Sequence, residues 1–153
     1  VNLSLNQSDV PADWLDNEVA ASLASIASDL QPSDGLLGLV VVDDAQIRTI
    51  NREFRGIDAA TDVISFSYLE DAAPRTPDDD LVGEIYLSRE TLERDARELD
   101  VTRRDLFLRL GVHGMFHVLG FDHDTEPEAL EMERRERDVL ADFLSAEVLA
   151  RLI

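Results

Sequence analysis

The sequence predicts a single α+β domain over residues 1–153, with one of its helices buried. Three observations predict it: strand-like segments are spread among helical ones, one helical segment is apolar almost all round, and the length suits one domain. A chain of 153 residues buries roughly two thirds of the surface its unfolded form exposes. Hydrophobic residues make up 44% and charged residues 31%, the balance of a globular protein rather than a disordered tail.

Val1, Leu3 and Leu5 alternate with polar residues, the period of a half-buried strand, and Asp9 with Pro11 then signals a helix start. Over 12–30, Leu15, Val19, Leu23, Ile26 and Leu30 fall on one helical stripe, which Gln31, Pro32, Ser33, Asp34 and Gly35 stop. The valine-rich run 36–42 reads as a buried strand. Ile47, Ile50 and Phe54 then have helical spacing over 45–54, with Gly56 placed as a C-terminal cap.

Segments 61–68 (TDVISFSY) and 81–88 (LVGEIYLS) have strand composition, joined by an acidic, proline-bearing loop that reads as a solvated connection. Ser88 is placed to cap a helix through Leu99, with Leu92, Ala96 and Leu99 inward. Thr102 and Asp105 resemble a capping pair for the next helix, to about Leu119. On it, Leu106, Leu110, His113 and His117 share one stripe, while Phe107, Gly111, Gly114, Met115 and Val118 fill another. Such a helix is buried, and its two glycines are expected to admit a close neighbour. Thr125 and Glu128 form a capping box for a last helical region through Leu140, extending to Leu152.

Charge and composition exclude several classes. Cysteine is absent, which removes disulfides, thiolate zinc sites and cysteine nucleophiles. The longest apolar run is far short of a bilayer crossing, and VNLSLNQSD lacks the basic start and apolar middle of a secretory signal. A mature intracellular protein with no membrane partner is expected. Thirty-three acidic residues against 14 basic ones, all arginine, give a formal charge of -19. This field repels nucleic acid unless arginines gather on one face or the working ionic strength is high, and it reads first as a solvated acidic surface suited to a salt-rich cytoplasm. Arg48, Arg52 and Arg55 share a helix face, and Arg103, Arg104 and Arg109 lie on the histidine-bearing helix, so these six are the expected lining of any polyanion path.

All three histidines, His113, His117 and His123, lie in HGMFHVLGFDH. Residues four apart on a helix lie one turn apart on one face, so His113 and His117 can reach one metal ion. Gly120 sits where a left-handed residue can end the helix and return His123 toward the same point. A lone histidine on an apolar stripe is usually a hydrogen-bonded core residue, but three at this spacing point to a metal. Three imidazoles with a free fourth position make a catalytic zinc arrangement, which lowers the pKa of a bound water to about 7. Asp122 and Asp124 are either outer partners of an imidazole or surface turn residues. Zinc peptidases place a glutamate after the first histidine, where this chain has Gly114, and zinc deaminases need cysteines.

HGMFHVLGFDH resembles the H-G-x-x-H-x-x-G-[YF]-D-H signature of the YbeY endoribonucleases. Upstream, FRGIDAATDVISF and VGEIYLS resemble further segments of that family, so the likeness spans about 45–140 in the right order. Ala60, Ser67 and Glu84 depart from the family's usual proline, proline and aspartate. The resemblance implies a mixed four-stranded sheet with surrounding helices. It implies a bacterial, cytoplasmic, metal-dependent endoribonuclease acting on single-stranded RNA rather than DNA. It also implies maturation of ribosomal RNA, notably the 3′ end of the small-subunit RNA, and ribosome quality control, with the small ribosomal subunit or its assembly factors as partners. One zinc ion would be held by His113, His117 and His123, and catalysis would rest on Arg55 and His113. A planar guanidinium can grip two phosphate oxygens and stabilise charge building in the transition state. Thr61, Asp62 and Ser65 are either a wall of the same cleft or purely structural. The proton acceptor stays open between the metal hydroxide and a side chain. Two other classes compete: a zinc hydrolase of a peptide or amide, and a ribosome-assembly factor whose metal is mainly structural.

Overall fold

The structure is a computed structural model that describes residues 1–8, 11–32, 34–69 and 80–153. The expected helix signal at Asp9, Ser33 in the first helix stop, and residues 70–79 of the acidic loop lie outside these. Among the described residues there are four strands, β1 (Asn2–Gln7), β2 (Leu36–Val42), β3 (Val63–Ser67) and β4 (Leu81–Ser88). Six helices accompany them: α1 (Asn17–Leu30), α2 (Asp44–Arg55), α3 (Arg89–Leu99), α4 (Arg103–Val118), α5 (Glu126–Leu140) and α6 (Ala146–Leu152).

The strands form one mixed sheet in the order β1-β2-β4-β3. β1, β2 and β4 run parallel, and β3 pairs antiparallel with β4, so β3 is an edge strand. This is the α+β, mixed four-stranded architecture expected. Alternation in β2 and β4 sends Leu37, Leu39, Val41, Ile85 and Leu87 into the main core, where α1 adds Leu23 and Ile26, and α4 adds Phe107 and Val112. On the opposite face a smaller cluster joins Val42, Ile47 and Ile64, with Phe66 and Tyr86 packed against it.

α4 lies against this sheet because its sequence leaves room. A Cβ on Gly114 would stand 2.9 Å from Ile85 Cγ2 and 3.0 Å from Ser65 Oγ, and one on Gly111 would stand 2.8 Å from a Leu23 methyl. The helix thereby approaches strands on one turn and α1 on the next, as its two glycines foretold.

Capping explains most boundaries. Ser88, Thr102 and Thr125 accept hydrogen bonds from the amides of Thr91, Asp105 and Glu128. The reciprocal box is instead complete at the start of α2, where Asp43 and Gln46 exchange side-chain to backbone bonds.

Four expectations are corrected. α1 begins at Asn17 because Asp16 accepts from the Val19 amide, while residues 12–15 turn and bury Trp14 against Phe107, ring centroids 5.5 Å apart. Leu99 is 39% exposed, because the left-handed Asp100 ends α3 and its inward stripe stops at Ala96. The last helical region breaks after Leu140, whose carbonyl accepts from the Phe143 and Leu144 amides, and Ser145 caps α6. The third strand is shorter than 61–68, because the Asp62 side chain takes the Val63 amide at 2.7 Å.

Candidate metal centre

The three imidazoles are positioned by the last turns of α4 and by the way that helix ends. Gly120 adopts φ 98, and the chain closes with Phe121 N donating to Phe116 O (2.9 Å) and Gly120 N to His117 O (3.0 Å). This is the Schellman pattern, and its accompanying apolar contact is the Phe116–Phe121 ring pair, centroids 5.4 Å apart. The turn returns His123 to the helix, where its ring lies 4.9 Å from that of His117 and 5.7 Å from that of His113. The ligand atoms of all three histidines lie within 4.8 Å of one another.

Each ring on the helix is oriented from behind. His117 donates its Nδ1 proton to the Phe121 carbonyl at 3.0 Å, an oxygen that can only accept. His113 Nδ1 contacts Oε1 of Glu136 on α5, and Glu136 is 1% exposed. With both Nδ1 positions engaged from behind, both Nε2 atoms face forward, and they stand 3.2 Å apart. The edge of a tetrahedron built on bonds of about 2.0–2.1 Å is about 3.3–3.4 Å, so the pair fits a zinc-sized ion. The donor set suits such an ion as well, since neutral imidazoles are borderline ligands. Burial, and then the neighbouring His113 and His123, hold the His117 imidazole below its ordinary pKa, which keeps its Nε2 lone pair free.

Glu136 was not singled out from the sequence. Its signal was present: Met132, Glu136 and Leu140 recur every four residues, and all three are buried, so an acid sits on the inward stripe of α5. Its other oxygen lies 3.4 Å from Arg109, one turn before His113. Among the described residues no hydrogen bond joins Asp122 or Asp124 to an imidazole, although their carboxylates lie within 4.8 Å of a His123 ring nitrogen. Asp122 accepts from the His123 amide at 2.8 Å, and its carboxylate beside Asp124 holds the Asp124 carboxyl above its ordinary pKa. Glu136→Gln preserves volume but removes the anionic acceptor, and metal affinity is expected to fall about 10- to 100-fold. Competition with a chromophoric chelator checks it; unchanged affinity would leave Glu136 serving Arg109 alone.

The histidines form one wall of a cleft of about 410 Å³. Residues 61–65 line it too, Thr61, Asp62 and Ser65 among them, together with Arg55 and Arg109. Arg55 is the last residue of α2, set there by Gly56 at φ 72, whose amide closes on the Arg52 carbonyl at 3.1 Å. It has no ion-pair partner among the described residues. The other four expected arginines are engaged elsewhere. Arg48 and Arg52 share Asp58, Arg103 reaches Asp13 and Glu93, and Arg104 reaches Asp16 and Glu18.

A mixed sheet that backs a helix with three convergent imidazoles in an open cleft defines an α+β protein with a candidate three-histidine metal centre. Comparisons with known proteins narrow the class. The family model described as endoribonuclease YbeY matches residues 2–144. The chain is 40% identical over 124 residues to the endoribonuclease YbeY of Nitrobacter winogradskyi, covering 80% of this chain and 65% of that protein. It is 36% identical over 151 residues to that of Moorella thermoacetica, covering 92% and 94%. A solution structure of a Thermotoga maritima protein shares the fold, with TM-score 0.60 at 22% identity over 95% of this chain and 94% of that one. This chain belongs to the endoribonuclease YbeY family. It spans 65% and 53% of the length of the Nitrobacter winogradskyi and Rhodospirillum rubrum relatives. Among the described residues no helix is long and apolar enough to cross a membrane.

Proposed function

We propose that this protein is a metal-dependent endoribonuclease that hydrolyses phosphodiesters of single-stranded RNA, with one zinc ion held by His113, His117 and His123. The observation that carries the reading is the facing pair of Nε2 atoms, 3.2 Å apart, in a cleft that also exposes the unpaired Arg55 guanidinium. Zinc bound there would supply an activated water for attack at phosphorus. His113, held by Glu136, and His117, held by the Phe121 carbonyl, present their Nε2 atoms toward the site in fixed directions. Arg55 grips non-bridging phosphate oxygens with two N–H groups and stabilises the negative charge that grows on them as the attack proceeds. Residues 61–65, which line the same cleft, would confine the strand beside the histidines. No acid follows the first histidine, because Gly114 is packed on Ile85 and Ser65, which disfavours a peptidase reading.

The family likeness supports a biological setting for this chemistry. The substrate would be ribosomal RNA, with maturation at the 3′ end of the small-subunit RNA and a part in ribosome quality control. The small ribosomal subunit or its assembly factors would be partners, in the cytoplasm. The test pairs metal analysis of purified protein with incubation on a structureless RNA. Internal cleavage is expected, lost with a chelator and restored by zinc. Undiminished cleavage by protein shown to be metal-free would overturn the proposal.

A further inference from the structure

Beside the cleft, the outer face of the sheet carries aromatic surface that the hydrolytic site does not use. Phe54, in the last turn of α2 and next to Arg55, is 67% exposed. Its ring meets that of Phe66 on β3 edge-on, centroids 5.3 Å apart at 72°, and Phe66 in turn meets Tyr86 on β4, at 6.0 Å and 83°. The inner two rings are packed on Val42, Ile47 and Ile64, so they brace Phe54 while leaving its outer face open. Tyr86 is fixed further by donating to Glu84 at 2.8 Å. Ile57, just past the end of α2, is 47% exposed and extends the apolar area.

We infer that Phe54, braced by Phe66, is a stacking platform for a base of single-stranded RNA, one nucleotide away from the phosphate gripped by Arg55. This rests on the reading of the cleft as an RNA site. Continuity carries it: Phe54 adjoins Arg55 in α2, and Phe66 lies two residues beyond Ile64, on the strand that walls the cleft. Electrostatics points the same way. The neighbouring cations Arg48 and Arg52 pair with Asp58, and the chain carries -19 overall, so a contact that does not rely on charge would add to the grip of Arg55. Every base presents a π-face, so an aromatic platform holds RNA without reading its sequence.

The platform is tested with a short single-stranded RNA carrying one 2-aminopurine, whose fluorescence is quenched by stacking. Phe54→Ala and Phe54→Leu should each weaken binding about tenfold and raise KM with little change in kcat, whereas Phe54→Trp should bind as the parent does. Circular dichroism confirms that each variant is folded, as expected for an exposed position. Parental affinity in Phe54→Leu would show that the ring's π-face is not used and overturn the inference. Parental RNA cleavage together with unaltered binding by Phe54→Ala would overturn the platform alone. A parent protein that neither binds nor cleaves RNA would overturn the cleft reading and the platform together.

Discussion

His117→Ala should abolish stoichiometric metal binding and RNA cleavage while leaving the fold in place. Removing an outer partner of a metal-bound histidine typically costs about 10- to 100-fold in affinity, and losing a ligand itself costs more. His117 occupies the middle of the set: its Nε2 is 3.2 Å from that of His113, and its ring is 4.9 Å from that of His123. The side chain is half-buried at the end of α4, so alanine removes little packing. Elemental analysis of the purified variant decides the matter, and one bound metal per chain would sink the proposed coordination. Acid should reproduce the effect. The His117 pKa is lowered in the fold, first by burial and then by the two other imidazoles, so folding favours the neutral ring. The stability gained from this is present above the ordinary imidazole value of about 6.5 and is lost as pH falls below it through the lowered value of the folded state. Metal release should accompany that fall, because the proton and the metal compete for the same nitrogen.

Arg55→Ala should separate chemistry from metal binding. The guanidinium stands in the cleft but is neither a histidine partner nor an ion-paired strut, so metal content and thermal stability should match the parent. Cleavage should fall about 100-fold or more, the usual cost of removing one donor to a developing oxyanion. Arg55→Lys should restore little of the rate, since an ammonium is a point charge without the planar fork. Single-turnover cleavage at saturating RNA is the measurement. A parental rate in Arg55→Ala would reduce Arg55 to a cation favourably placed at the C-terminus of α2.

What the chain discloses on first reading depends on how local each interaction is. The histidine cluster was legible because a four-residue spacing and a glycine turn are contained in one short run, and Gly120 takes the left-handed φ that this required. Ser88, Thr102 and Gly56 marked helix ends for the same reason, since a cap is settled within a few residues. Glu136 was hidden because its meaning depends on α5 packing against α4, a contact 23 residues apart in sequence. The arginines misled for a related reason. Helical spacing places Arg48, Arg52 and Arg55 together, but only the fold brings Asp58 to the first two and leaves the third in the cleft. The break between α5 and α6 escaped because the residues around it remain apolar enough to continue a helix, whereas the turn is made by the Phe143 and Leu144 amides closing on the Leu140 carbonyl before Ser145 caps α6.

The histidines share one helix and its closing turn, whereas Glu136 and Arg55 arrive from distant parts of the chain. Closing a short loop costs less entropy than closing a long one, and helical turns form far faster than sheets assemble. The placement of the three imidazoles is thus an affair of one helix end, settled within residues 113–123, whereas the Arg55 guanidinium and the Glu136 carboxylate reach the cleft only through the docking of α2 and α5.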